Sequence, residues 1–171
     1  YVAQSGAEQF KKMSLEMGGK NAAIVFEDAD IERTVKGIRR ASFLNQGQIC
    51  LCASRILVHR PIYDDFVARL VESIKDLNVG DPQRSSSDLG SLISHEHQAK
   101  VMRFVQSALA DGGTVLCGGE VPEMSDELQE GAWFQPTVIV NVETSCKISM
   151  EEVFGPVVVV HPFDTEEEAI E

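Results

Sequence analysis

Short apolar runs alternate with helical stripes along this chain, and this alternation is the strongest constraint on its fold. Residues 21–26 and 55–58 are short apolar runs of the kind that form buried strands. Between them, apolar residues recur at helical spacing from Ile31 onward, and either Asp28 or Asp30 can cap the helix. Strands that alternate with helices predict an α/β fold, a mostly parallel sheet flanked by helices.

The same alternation continues through the second half of the chain. A helix is predicted to begin at Pro61 and to stop at Gly80, and another is predicted over residues 94–111. Three further strands are predicted, at residues 114–117, 133–140 and 157–160. The last of these runs is apolar without alternation, which is typical of a strand covered on both faces.

The chain is predicted to be one domain, because it contains no internal repeat, low-complexity tract or linker. Near its end, Thr165 and Glu168 have capping-box spacing and open a helix, and the sequence stops within about two turns. We therefore expect residues 1–171 to be part of a larger domain.

Composition excludes several classes of function. The chain has 27 acidic and 15 basic residues, a formal charge of −12, which disfavours binding to nucleic acid or to anionic lipid. No apolar run approaches the roughly 18 residues that a membrane helix requires. We therefore expect neither a nucleic-acid partner nor a membrane partner.

Metal ligation is not predicted. The cysteines do not form paired C-x-x-C spacings; they are Cys50, Cys52, Cys117 and Cys146. His95 and His97 lie at a predicted helix start and lack the i,i+4 spacing of a helical zinc pair. Because Cys50 and Cys52 are too close for an unstrained disulfide, we expect reduced thiols in a cytosolic or organelle-matrix setting, with the cytoplasm as the predicted location.

Cys50 is the candidate nucleophile. An ordinary thiol has a pKa near 8.5 and is only partly ionised at neutral pH, so a catalytic cysteine needs help from its surroundings. The preceding residues 46–48, Gln-Gly-Gln, allow backbone N–H groups to approach and expose the sulfur. The alternative is a buried, inert cysteine, and Cys52 is interpreted in that way, as a packed neighbour.

Two glutamates are candidates for the same site. Glu16 follows a short β-prone run, residues 13–15, and precedes two glycines, so it can face a cleft as a general base; the alternative is a solvated surface glutamate. Glu152 has capping-box spacing from Ser149 and could close a helix start. Alternatively, Glu152 accepts hydrogen bonds from ligand hydroxyls, with Phe154 close by.

Three stretches in this order resemble the NAD(P)-dependent aldehyde dehydrogenase superfamily. They are Leu-Glu-Met-Gly-Gly-Lys at residues 15–20, Phe-Leu-Asn-Gln-Gly-Gln-Ile-Cys at 43–50 and Glu-Glu-Val-Phe-Gly-Pro at 151–156. The resemblance covers the chain from Lys11 onward and implies the catalytic domain of that family. Residues 47–52 and 21–26 are most similar to the 2-hydroxymuconic and 2-aminomuconic semialdehyde dehydrogenases.

The resemblance implies a mechanism and a set of site residues. Cys50 would attack a small aldehyde to give a thiohemiacetal and then a thioester, and Glu16 would activate the water that releases the acid. Met17 and Gly18 would border the nicotinamide, and Glu152 and Phe154 would hold its ribose and ring. The implied cofactor is NAD, with NADP as the alternative, and the implied parent is a homodimer or homotetramer.

The resemblance also implies parts of the family that lie outside these 171 residues. The family's dinucleotide-binding domain precedes the matching segment and its closing strands follow it, so we expect the 171 residues alone to be inactive. Two other functions stay open: a Cys–Glu thioesterase or amidase that needs no nicotinamide, and a non-catalytic scaffold domain.

Overall fold

The computed structural model describes residues 1–170, which form one sheet with helices around it. The strands are β1 Asn21–Val25, β2 Ala53–His59, β3 Thr114–Cys117, β4 Thr137–Val140 and β5 Val157–Phe163. The helices are α1 Val2–Ala7, α2 Ile31–Phe43, α3 Tyr63–Lys75, α4 His95–Ala110, α5 Lys147–Met150 and α6 Glu166–Ile170. Within this described part, no helix is both long enough and apolar enough to cross a lipid bilayer.

The sheet has the strand order β1-β2-β5-β4-β3. Strand β1 pairs with β2, β2 with β5 and β5 with β4, all in parallel, whereas β3 pairs with β4 in antiparallel orientation. The prediction of a mostly parallel sheet flanked by helices is therefore confirmed.

Helices cover both faces of the sheet. Helices α2 and α3 pack on one face, where they share a core with Val158 and Val160 of β5. Helices α4 and α5 pack on the other face, together with Val157 and Val159. Successive residues of β5 thus point into opposite cores, which confirms the prediction of a strand covered on both faces.

The predicted helix starts are confirmed at two caps. Asp30 precedes α2, and its side chain accepts a hydrogen bond from the Arg33 N–H at 3.1 Å. Ser94 precedes α4 and accepts from the His97 N–H at 3.1 Å. Each cap satisfies one of the free N–H groups of the first helical turn.

The predicted strand over residues 133–140 is too long. Only Thr137–Val140 pairs in the sheet. Pro136 has no N–H to donate, and the Gln135 N–H is directed to the Glu120 carbonyl at 3.0 Å. The β-prone residues 13–15 are likewise not a strand in the structure.

Helix α3 differs from the prediction at both ends. Pro61 lies in a 3₁₀ turn, Arg60–Ile62, rather than in the α-helix itself. The helix ends at Lys75, before Gly80. Beyond the helix, the Asn78 N–H donates to the Asp88 carboxylate at 2.9 Å. This bond ties residue 78 to the following loop, and it could not form if the helix continued, because the N–H would then bond within the helix.

Candidate active site

The candidate residues lie just before three neighbouring strands. Gly18 precedes the first residue of β1 by three positions, and Cys50 and Phe154 precede the first residues of β2 and β5 by the same interval. Because these strands are parallel neighbours, their amino ends lie at one edge of the sheet. The pairing of Asn21 with Ala53 brings the starts of β1 and β2 to the same level.

The loop before Cys50 is a tight left-handed turn. Asn45, Gln46 and Gly47 have φ values of 52°, 57° and 68°. A Cβ at Gly47 would overlap the carbonyl group of Gly155, so this position needs a glycine for its conformation and for its close approach. The turn takes the chain from the end of α2 into the segment that carries Cys50.

Side-chain amides hold the Cys50 segment from two sides. The Asn21 amide donates to the Cys50 carbonyl and, at 3.3 Å, to the Cys52 carbonyl. The Gln48 side-chain oxygen accepts from the Ile93 N–H at 3.0 Å. The cysteine segment is thereby fixed both to the start of β1 and to the chain that leads into α4.

The cysteines of the described chain are all free thiols but differ in their surroundings. Cys50 is half-buried and lines the cleft described below. Cys52 is buried, and its burial raises the pKa of its thiol. Burial likewise raises the pKa of Cys117. A raised pKa disfavours the nucleophilic thiolate, which agrees with the interpretation of Cys52 as a packed neighbour.

The structure rules out the capping-box alternative for Glu152. Ser149 lies inside α5, which ends at Met150, so Glu152 follows the helix instead of closing its start. The Glu152 Oε1 atom accepts a hydrogen bond from the Gly19 N–H at 3.1 Å. The Glu152 carboxylate therefore joins the segment before β5 to the segment before β1.

Phe154 has an unusual backbone, with φ at 58°, in the left-handed region. Its carbonyl accepts a hydrogen bond from Nε2 of His97 at 2.6 Å, and the two rings meet edge to face with centroids 6.1 Å apart. The sequence did not point to His97 as a site residue. The only local signal was Ser94, which fixes His97 in the first turn of α4, and no pattern linked it to Phe154.

A single open cleft of about 660 Å³ contains all the predicted site residues. The predicted residues in its walls are Glu16, Met17, Gly18, Cys50, Glu152 and Phe154. The other residues that line it are Gln48, Ile49, His97 and Lys100. Glu16 and Met17 belong to an exposed segment without helix or strand. A larger cavity of about 800 Å³ lies elsewhere, beside Tyr63 and His161, and has no cysteine in its walls.

The cleft fits one end of a dinucleotide. The Oε1 atom of Glu152 is bound to the Gly19 N–H, which orients the carboxylate. The second oxygen lies close to Gly18 and can still accept a hydrogen bond from a ligand hydroxyl. Phe154 adds a half-buried aromatic ring that could pack near a flat nicotinamide. Metal binding has no comparable support, because no group of three or more His, Cys, Asp or Glu side chains in residues 1–170 could hold an ion.

Lys20 follows Gly18 and Gly19 in the sequence and is half-buried. Its pKa is lowered from 10.5 to about 8, chiefly by burial and then by the nearby Arg55 guanidinium, while the Glu152 carboxylate opposes the shift. Arg55 is held against Lys20 by a hydrogen bond from its Nε to the Lys20 carbonyl at 3.1 Å. Two cationic side chains, Lys20 and Arg55, therefore lie close together and near the Glu152 carboxylate.

Comparison with known families gives a match over the whole chain. The sequence model described as "Aldehyde dehydrogenase family" matches residues 1–171. The 2-aminomuconic 6-semialdehyde dehydrogenase of Pseudomonas sp is 45% identical over 169 residues, which are 99% of this chain and 34% of that protein. The 2-aminomuconic semialdehyde dehydrogenase of Mus musculus is 46% identical over 171 residues, 99% of this chain and 35% of that protein.

Solved structures give the same match. The betaine aldehyde dehydrogenase of Staphylococcus aureus, determined in complex with NAD⁺, superposes with a TM-score of 0.91 and 40% sequence identity. The match covers 99% of this chain and 33% of that structure. The chain thus spans about a third of the length of the relatives that it matches.

Gly47→Ala should destabilise the protein more than Gly112→Ala, although both glycines have positive φ. Gly112 has φ of 90° but open space around its Cα, so Gly112→Ala carries only the conformational penalty, about 1 kcal/mol. At Gly47 the added Cβ also meets the Gly155 backbone, and we expect a loss of about 2–4 kcal/mol. Urea unfolding of both variants measures the difference; equal losses would contradict the close packing of the two loops.

Lys20→Met should increase stability in a pH-dependent way. The folded-state pKa of Lys20 is about 8 against 10.5 for an unperturbed lysine, so between these values the unfolded chain binds more protons and wild-type stability rises with pH. The variant should be more stable than wild type below about pH 8, and its advantage should shrink as the pH approaches 10.5. Urea unfolding over this pH range tests the trend.

Lys36→Met is the control for Lys20→Met. The Glu32 carboxylate raises the pKa of Lys36, so its effect on stability has the opposite sign and is lost as the pH rises through the folded-state pKa. An equal gain of stability at neutral pH in both variants would show that the gain does not come from the half-buried charge of Lys20.

Proposed function

Because this chain belongs to the aldehyde dehydrogenase family, we propose that it supplies the nucleophile and the general base of an enzyme that oxidises an aldehyde to a carboxylic acid with NAD(P)⁺. The observation that carries the proposal is the shared cleft of Cys50 and Glu16, which also contains Glu152 and Phe154. A thiol and a carboxylate in one cleft are the groups needed to form and then hydrolyse a thioester.

Cys50 carries out the first step. Its thiolate attacks the aldehyde carbon, a C–S bond forms, and the carbonyl electron pair moves onto oxygen to give a thiohemiacetal. When bound, NAD(P)⁺ supplies the two-electron acceptor for the hydride that leaves this carbon. As the hydride leaves, the electron pair on oxygen re-forms the C=O bond, and Cys50 holds the acyl group as a thioester.

Glu16 carries out the second step. Its carboxylate takes a proton from a water molecule, the water oxygen attacks the thioester carbon, and the C–S bond breaks to release the acid and the Cys50 thiolate. The exposed segment of Glu16 gives the side chain access to water from the open side of the cleft. Binding roles belong to Met17, Gly18, Glu152 and Phe154, with Glu152 accepting from the ribose and the others bordering the nicotinamide.

The proposed substrate is a muconic-type semialdehyde. Its support is the set of muconic semialdehyde dehydrogenases that are 44–46% identical to this chain. A betaine aldehyde dehydrogenase of Atriplex hortensis is 43% identical, so a cationic aldehyde is the competing substrate to assay beside the semialdehyde.

We further propose that residues 1–171 work as a catalytic-domain segment of a longer enzyme. The support is that the chain spans only about a third of the length of these relatives. The dinucleotide-binding domain and the closing strands would then lie in the rest of that enzyme, a homodimer or homotetramer, and the 171 residues alone would be inactive. The free thiols favour a cytoplasmic location.

Cys50→Ser in the complete enzyme should lower aldehyde-dependent NADH formation by at least about a thousandfold, because a serine hydroxyl is a far weaker nucleophile than a thiolate. Cys52→Ser is the matched control and should keep activity within about threefold. In wild type, iodoacetamide should label Cys50 before Cys52, Cys117 and Cys146, as resolved by mass spectrometry. Near wild-type NADH formation by Cys50→Ser would overturn the proposal.

Glu16→Gln should separate the two steps. The amide cannot accept the proton from water, so we expect a burst of about one NADH per site followed by steady turnover slower by about 10²–10⁴-fold. Glu72→Gln, an exposed glutamate on α3 away from the cleft, is the control. Stopped-flow absorbance measures both phases. Hydrolysis of activated esters with no NADH at all in wild type would instead favour a Cys–Glu thioesterase.

A further inference from the structure

His97 joins the first turn of α4 to the segment before β5. Its own N–H donates to the Ser94 cap at 3.1 Å, which fixes its place on the helix. Its ring Nε2 lies 2.6 Å from the Phe154 carbonyl oxygen. Because that oxygen can only accept, the imidazole must donate from Nε2.

Phe154 needs such a partner. A φ of 58° is disfavoured for a bulky residue that has a Cβ, and it persists only where neighbouring groups hold it. Helix α4 holds this segment at Phe154 and again at the next residue, Gly155. His97 binds the Phe154 carbonyl, and one turn later Val101 packs against Gly155, where an added Cβ would approach Val101 to 2.7 Å.

Each of the two histidines at the start of α4 contacts a backbone carbonyl oxygen through its Nε2 atom. Nε2 of His95 lies 3.1 Å from the Glu130 carbonyl oxygen, whereas Nε2 of His97 lies against Phe154. The two rings therefore bind different loops. His97, unlike His95, also lines the cleft of Cys50.

We propose that His97 is a positioning residue for the nicotinamide-binding wall of the cleft. Its Nε2–H bond and its edge-to-face contact, at an interplanar angle of 73°, hold Phe154 in the left-handed conformation that keeps its ring beside the cleft. This inference rests on the proposed function only for the identity of the ligand. The positioning itself concerns His97 and Phe154.

The kinetic test compares His97→Ala with His95→Ala in the complete enzyme. Loss of one hydrogen bond that orients the wall should raise the KM for NAD(P)⁺ about three- to tenfold in His97→Ala and change kcat at saturating cofactor by less than about twofold. His95→Ala should match wild type. His97→Gln keeps an N–H donor and should recover part of the lost affinity. Equal KM values for His97→Ala and wild type would overturn the inference.

The structural test does not depend on activity. Crystal structures of the cofactor-free His97→Ala and His95→Ala enzymes should show Phe154 displaced from its left-handed conformation in the first and unchanged in the second. An unmoved Phe154 in His97→Ala would refute the positioning role. If wild type forms no NADH from any aldehyde, the proposed function fails, while this comparison still decides the role of His97.

A double variant tests whether His97 acts through Phe154. Phe154→Gly removes the ring and gives the backbone free access to positive φ, so His97 has nothing left to hold. In that background, His97→Ala should raise the KM for NAD(P)⁺ no further. An additional increase as large as that in the wild-type background would mean that His97 acts on the cofactor by another route, which would contradict the inference.

Discussion

The parallel alignment of β1, β2 and β5 as neighbours is the constraint on which the candidate site depends. The chain enters each strand from the same edge of the sheet, and Gly18, Cys50 and Phe154 each lie three residues before a strand start. Ligand sites in open α/β sheets are usually found at the carboxyl ends of the strands. In this protein the candidate nucleophile, the candidate base and the candidate cofactor-binding residues gather at the amino ends instead.

Close contacts between the entering segments turn this shared edge into a defined cleft. Gly47 approaches the Gly155 backbone, and Glu152 binds the N–H of Gly19. Asn21 then binds the Cys50 carbonyl from the start of β1. Each contact links two segments that are far apart in sequence, so the geometry of the cleft is set by packing between loops and not by any one loop alone.

Local patterns predicted most elements of the fold, and their failures have physical causes. The strand at residues 21–26, the helix start near residue 94 and the strand covered on both faces were predicted because each depends on neighbours in sequence. The strand over residues 133–140 was overextended, since apolar residues before Pro136 are buried without pairing in the sheet. The alternative role of Glu152 as a helix cap fails because α5 begins two residues before Ser149.

The sequence by itself determined which chemical groups this protein can use: a thiol in a glycine-containing loop, a carboxylate beside two glycines, and a glutamate followed by an aromatic residue. Only the tertiary structure decided which of these groups meet. Glu152 reaches Gly19 across 133 positions, and His97 reaches Phe154 across 57. Such contacts follow from the order and direction of the strands, which local hydrophobic periodicity does not encode.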